Sequence, residues 1–371
     1  MEKFVFPILI TKPLIPDINI YFKYVKDIFD SKMLSNSGKY HLILEDDLKY
    51  ILKVNNLLVF NNGTNALMIA LKGLNLTGEI ITTPFTFPAT PHAITWNGLK
   101  PIFCDIDNKT MNIDANKIES YITKDTSAIL AVHTFGTPCD VMKIEQIAKE
   151  HNLKVIYDSA HAFMTEIDGD GIGNFGDVSM FSFHPTKLFH TSEGGALTFN
   201  NDTLKETYKL LRNFGIVFKD GTESVELDGI NGKMSEIQAA MGLCVLDIVD
   251  KERRKRESIS KRYIHNLSVK KGISFQKLES NITPSYQYFP IRINKEEFGE
   301  SRDDVYNRLR EYNVFARKYF NPLCIDYDHY KDTKGDFSIA RKVVTEVLCL
   351  PFYGDLTMND INKICSIILG E

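Results

Sequence analysis

No stretch of the 371 residues stays apolar for the roughly 20 positions that a bilayer crossing needs, so no membrane span is expected. Charge of one sign is missing too. The formal net charge is −4, from 44 basic and 48 acidic residues with no dominant run, and neither nucleic acid nor an anionic membrane is expected as a partner. The one basic run, KERRKR at 251–256, has acids on both flanks and reads as a solvated helix face. Six cysteines are present, but none in CxxC or Cys/His ligand spacing. That excludes by pattern a zinc site and a disulfide framework, and it points to a reducing compartment. The apolar start, MEKFVFPILITKPLIP, is short, broken by prolines and without a small-residue cleavage site, so a cytoplasmic protein is expected. A dinucleotide fingerprint is lacking as well. DGDGIGNFGD at 168–177 has glycines at suggestive spacing, but no helical pattern follows it, and a hairpin turn is the better reading.

What is present is an alternation of short apolar runs with helical patterns. LLVFNN, EIITTPFTF, KPIFCDID, SAILAVHTFG and KVIYDSA read as strands. Between them TNALMIALKGL, TPHAITWNGL, NIDANKIESYI and VMKIEQIAKEHN read as helices. This alternation predicts an α/β fold with a mostly parallel central sheet and helices on both faces. Before it, IYFKYVKDIFDSKML and HLILEDDLKYILK read as helices flanking the loop SNSGKY. After about residue 245 the texture changes. A long charged helix, LDIVDKERRKRESISKRYIHNL, leads to the strand SYQYFPIRIN and the helices around DDVYNRLREYN and DINKICSIIL. The expected domains are therefore 1–245, a large α/β unit with its N-terminal segment, and 246–371, a smaller α+β unit.

In parallel sheets ligands collect at the carboxyl ends of the strands, and the informative residues fall there. FSFHPTKLFHTSEGGALTFNN, residues 181–201, sets Lys187 on a connection between two core strands. A reactive lysine there needs a carbonyl partner and a site that lowers the cost of losing its proton. If the partner is pyridoxal phosphate, the site also needs an acid for the pyridine nitrogen, donors for the phosphate and a flat group for the ring. The sequence offers all three. Asp158 ends the apolar strand KVIYD, where a helix N-cap is the plainer alternative. Asn62, Gly63 and Thr64 open a helix, a position that favours phosphate but is also common turn geometry. Phe85 and Phe87, in PFTFPAT, either stack on a ring or pack in the core.

The order NGT, PFTF, YDSAHA, FSFHPTKLFHTSEGG and NGKMSEIQAA resembles that of the DegT-type nucleotide-sugar aminotransferases, pyridoxal-phosphate enzymes of fold type I. The likeness runs from SNSGKY to LCLPFY. It implies pyridoxal 5′-phosphate as cofactor, with Lys187 as the Schiff-base lysine and Asp158 as the partner of the pyridine nitrogen. His161 matches the position that reaches the ring hydroxyl, and Phe87 matches the aromatic cover of the ring. Gly63, Thr64 and Ser182 match the phosphate donors, with Asn231 supplied by the partner subunit of a homodimer.

The lysine turn, FHPTKLFHTSEGG, resembles the C4-acting branch. That branch moves an amino group from glutamate to TDP-4-keto-6-deoxy-D-glucose for surface polysaccharide, with ping-pong kinetics. The C3-acting members show a different turn, Tyr-Pro-Gly-Lys-Asn. By the same resemblance Glu193 and Tyr319 border the sugar. For His184 and His190, contact with substrate and simple packing of the turn are both open readings, and Arg212 is expected to face the pyrophosphate on its charge. A C3 aminotransferase and a cofactor-dependent sugar dehydratase are the alternatives. The dehydratases replace the lysine with histidine, whereas this chain keeps Lys187.

Overall fold

The structure is a computed structural model describing residues 2–371. Asp17 caps α1 (Ile18–Ser31) by accepting the Asn19 amide, and α2 (Lys39–Leu52) follows after a short loop. The alternation then runs β1 (Leu57–Phe60), α3 (Gly63–Gly73), β2 (Glu79–Thr82), α4 (Ala89–Trp96), β3 (Lys100–Phe103), β4 (Thr126–Val132), α5 (Val141–His151) and β5 (Lys154–Asp158). The glycine-rich segment folds as expected into a small hairpin of β6 (Glu166–Ile167) and β7 (Asp170–Gly171). Next come β8 (Val178–Ser182), β9 (Gly195–Phe199), α6 (Thr203–Leu211) and an exposed hairpin, β10 (Ile216–Lys219) with β11 (Thr222–Val225).

Seven strands form one sheet in the order β1-β9-β8-β5-β4-β2-β3. The pairs β2/β3, β2/β4, β4/β5 and β5/β8 are parallel, and β9 runs against both of its neighbours. One reversed strand leaves β1, β2, β4, β5 and β8 all ending on the same edge, and β9 starts there. Side-chain alternation feeds two apolar layers. Leu57, Val59, Ile129, Ala131, Val155 and Tyr157 pack toward α2 and α5. Leu58, Phe60, Ala128, Leu130 and Ile156 pack toward α3, α4 and α6.

Two expected elements differ. Residues 112–122 form no α-helix but a single 3₁₀ turn at Ile118–Tyr121. Asp114 accepts the Asn116 amide with its own carboxylate while Ile113 bridges to Ile106, and these local bonds hold the backbone away from helix. β2 stops at Thr82, where Thr83 accepts the Phe85 amide and proline stands at 84 and 88, so PFTF is a loop rather than strand.

α7 (Glu236–Leu267) is 32 residues long and starts ten residues before the predicted stretch, at a capping box in which Ser235 and Gln238 bond reciprocally. The residues around its C-terminal half form a second core. Ile259, Tyr263 and Leu267 pack there on β12 (Ile273–Phe275) and, beyond the two-residue β13 (Ile282–Thr283), β14 (Phe289–Ile293). α8 (Lys295–Phe298), α9 (Arg302–Glu311), α10 (Ser338–Glu346), β15 (Val347–Leu350) and α11 (Met358–Leu369) complete it. The KERRKR run is only partly the solvated face expected of it. Arg256 and Glu252, one helical turn apart, are buried and paired at 2.7 Å, while Arg254 and Lys255 stay exposed. Pairing is what makes such burial tolerable. No helix of the described residues is long and apolar enough to cross a membrane.

Candidate active site

The strand ends converge on a cavity of about 730 Å³ lined by Gly63, Thr64, Thr86, Phe87, Asp158, His161, Ser182, His184, Lys187 and Glu193, with Tyr288, Arg317, Tyr319 and Phe320 from the C-terminal half. The turn that carries Lys187 is held from both sides. Phe183 and Phe189 meet edge-on at 4.8 Å, and Phe163 stacks on Phe189 at 4.6 Å. Gln287, just before β14, accepts the Leu188 amide and donates to the Thr186 carbonyl at 2.9 Å. The backbone around the lysine is thereby fixed while its side chain stays within the cavity. Burial pushes the Lys187 amine down to about 8 and Asp158 partly opposes the shift. The amine lies 5.9 Å from the Tyr288 ring centre.

Asp158 caps no helix, because only turns follow it. Its Oδ2 accepts from Thr90 Oγ1 at 2.8 Å and its Oδ1 from the Ala160 amide at 3.0 Å. Thr90 is in turn 2.8 Å from Thr86 Oγ1, so two hydroxyls back the carboxylate. Burial raises the Asp158 pKa, and Thr90, Ala160 and Lys187 lower it in part. At His161, Nδ1 accepts the Phe135 amide at 3.2 Å, which leaves Nε2 to carry the proton of the neutral ring. The ring lies nearly parallel to those of Phe135 and Phe320, at 6.2 and 6.1 Å. Burial, and then the neighbouring Lys187, hold its pKa well below the usual imidazole range.

At the N-terminus of α3 three segments come unusually close. A Cβ at Gly63 would stand 3.1 Å from the Ser182 Cβ, and one at Gly195 would stand 2.7 Å from the Gly63 Cα. Asn62 caps the helix by accepting the Asn65 amide at 2.8 Å, and the hydroxyl-bearing Thr64 and Ser182 line the cavity beside it. The two phenylalanines of PFTF separate. Phe87 is 59% exposed on the cavity wall, while Phe85 is buried edge-on to Phe135 and Phe320.

The other residues singled out in the sequence divide in the same way. His184 lines the cavity with its Nε2 3.7 Å from Glu193, and Tyr319 lies on the wall. His190 is buried and bonds the Leu14 carbonyl at 2.8 Å, so it packs the turn. Arg212 does not face the cavity. It is buried against Glu45 Oε1 at 2.8 Å and the Val59 carbonyl at 2.7 Å, a structural charge pair rather than a pyrophosphate contact. Asn231 is exposed and does not line this chain's cavity; its carbonyl accepts from Asn61 Nδ2 at 3.0 Å. Thr86, Thr90, Tyr288, Arg317 and Phe320 were missed by the sequence reading. The proline-flanked PFTFPAT holds a weak signal for the threonines, and no local pattern marks the others.

The donor set fits pyridoxal phosphate. A lysine amine and a buried carboxylate share one cavity, a helix N-terminus with two hydroxyls offers a phosphate cradle, and an uncovered aromatic face offers a ring contact. A zinc site calls for none of these groups, and a dinucleotide crevice shares only the helix N-terminus. The sequence profile of the DegT/DnrJ/EryC1/StrS aminotransferase family matches residues 18–369. A dTDP-4-amino-4,6-dideoxy-D-glucose transaminase of Shigella dysenteriae is 42% identical over 370 residues, covering 99% of each chain. A protein of the same name from Escherichia coli is 40% identical over 369 residues, covering 98% of each. The crystal structure of DesI in the presence of its TDP-sugar product superposes with a TM-score of 0.94 at 31% identity, covering 100% of this chain and 94% of that one. Site chemistry, fold and sequence agree, and the chain belongs to the DegT/DnrJ/EryC1/StrS aminotransferase family of fold type I, whose cofactor is pyridoxal phosphate.

Proposed function

We propose that the protein transfers the amino group of glutamate to C4 of TDP-4-keto-6-deoxy-D-glucose, giving TDP-4-amino-4,6-dideoxy-D-glucose for surface polysaccharide. The observation that carries the reading is the Lys187 amine and the Asp158 carboxylate in one cavity, electrostatically coupled. The choice of sugar is supported by relatives of that name at 42% and 40% identity over nearly full length.

When bound, the cofactor supplies a carbonyl that takes up the amino group and a conjugated ring that accepts electrons. The chain's residues do the rest. Lys187 Nζ would hold the cofactor, and the same amine, once freed, would take up the proton lost by the substrate carbon. With its pKa held near 8, about a quarter of this amine is neutral at pH 7.5 and able to accept that proton, against roughly a thousandth of an ordinary lysine. Thr90 and Ala160 favour the anionic form of Asp158 against the burial that raises its pKa, and the carboxylate would balance the positive charge on the pyridine nitrogen. Neutral His161 would donate from Nε2 to the ring hydroxyl, and Phe87 would cover the ring face. Gly63, Thr64 and Ser182 would take the phosphate, while His184, Glu193 and Tyr319 would border the sugar.

Asn231 is proposed to act in the partner's site of a homodimer, and its exposure together with its anchor on Asn61 supports that role. Hybrid dimers test it. Co-expressed Lys187→Ala and Asn231→Ala subunits should form hybrids with one intact site and exceed the mean activity of the two parents; a simple mean rejects the shared site.

The substrate test is spectroscopic. The visible band of the cofactor-loaded protein should bleach with glutamate and return with TDP-4-keto-6-deoxyglucose. Return with only the 3-keto isomer would replace the C4 assignment by C3, and no visible band would end the reading of Lys187.

A further inference from the structure

Of the acidic, histidine and basic side chains that line the cavity, Asp158, His161 and Lys187 serve the cofactor in the function proposed above, and His184 and Glu193 face each other. Arg317 remains. It is the only lining residue with a permanent positive charge that the cofactor does not occupy, and among the described residues its guanidinium has no carboxylate partner within ion-pair distance. A cation facing a cavity without a counter-ion is open to an anionic ligand.

The residue is also held in place. Its backbone pairs with Cys349 of β15 in both directions, amide to carbonyl, at 3.0 and 2.8 Å. Its guanidinium carbon lies 4.8 Å from the centre of the Tyr319 ring, which meets Tyr288 edge-on at 5.3 Å. Tyr288 in turn neighbours the Lys187 amine. This row of rings links Arg317 to the reacting end of the cavity. The phosphate cradle at Gly63 and Ser182 is built by the other half of the chain.

Resting on the aminotransferase reading, we infer that Arg317 is the oxyanion anchor of the substrate site. A ping-pong enzyme admits two unlike molecules to one cavity in turn. What glutamate and a nucleotide-linked sugar share is a planar or tetrahedral oxyanion: carboxylate in the one, diphosphate in the other. The guanidinium fork bonds either in bidentate fashion.

The test uses the cofactor-loaded protein with R317Q and R317K. Bleaching by glutamate and return by the TDP-keto sugar are each followed in single turnovers over a range of concentration. Calorimetric binding of glutarate and of TDP gives a readout free of chemistry. R317Q should raise the half-saturating concentration by about ten-fold or more, the effect of losing a hydrogen bond to a charged group, with a small change in the rate at saturation. R317K should recover part of the loss, because it keeps the charge without the fork. Weakening with glutamate and glutarate assigns the anchor to carboxylate, weakening with sugar and TDP assigns it to diphosphate, and weakening of both makes it shared. If R317Q matches the wild type within two-fold in every arm, the anchor is rejected while the aminotransferase stands. If wild-type protein fails to bleach with glutamate, the parent reading falls, and this inference with it.

Discussion

Thr90 gives Asp158 one hydrogen bond in a buried setting, and a bond to a charged group is worth about 1.5–3 kcal/mol. Burial already lifts the Asp158 pKa, so removing the donor lifts it further. With Asp158 in its proposed role, apo protein should lose affinity for the cofactor as pH falls and the carboxylate takes up a proton. In Thr90→Val that loss should begin about one pH unit higher than in wild type, and Thr90→Ser should restore it. Cofactor fluorescence titrations across pH would show this, and coincident curves would demote Thr90 to packing. Lys187 gives a second pH signature. Only the neutral amine attacks a carbonyl, so the rate of cofactor capture should climb with pH and level off above about 8, far below an ordinary lysine. Stopped-flow loading would reveal a plateau, or a continued climb that contradicts it. At this scale the sequence spoke through misfits. Lys187 and Asp158 were legible because a charged group at the end of an apolar strand demands a partner. Thr90 and Arg317 were silent, since threonine in a loop and arginine after a helix need no excuse.

α2 owes its start to a residue almost 200 positions away. Gly38 caps it without a side-chain bond, and the buried Glu236 of α7 instead accepts the Gly38, Tyr40 and His41 amides at 3.0, 2.8 and 3.1 Å. Glu236→Ala should cost about 3 kcal/mol in urea denaturation and Glu236→Gln distinctly less. A loss under 1 kcal/mol for both would show the cap to be dispensable. Glu45, further along α2, is pushed up by burial, but the His41 hydrogen bond and Arg212 outweigh this and hold it at about 2. Its folded pKa lies below its unfolded value, so its contribution is present above about pH 4.5 and fades as pH falls toward 2. The stability gap between wild type and Glu45→Gln should therefore narrow over that window; a constant gap in denaturation at pH 3 and pH 6 would contradict the pairing. Such long-range caps leave no local trace. Two other differences had local causes: the SEIQ capping box marks the true start of α7, and at 112–122 Asp114 bonds its own turn in place of a helix. The proposed division at 245/246 falls inside α7, so the two units share one continuous rod.

For the molecule as a whole, the alternation of strands and helices sufficed for a mostly parallel sheet with its site at one edge, because period and order survive any uncertainty in boundaries. The reversed β9 and the C-terminal wall of the cavity were not legible, since both depend on how distant segments meet. The six cysteines, read at first only for the pairings they lack, are all buried and unpaired. Burial drives the thiols of Cys104, Cys324 and Cys365 up to about 12, leaving almost no thiolate at neutral pH. They lie in both halves of the fold. Native protein should thus resist a thiol-reactive dye, and six equivalents should be consumed in denaturant. The slow labelling that does occur in buffer then works as a clock for transient opening, and mass spectrometry of the tagged peptides would report which half of the chain breathes first.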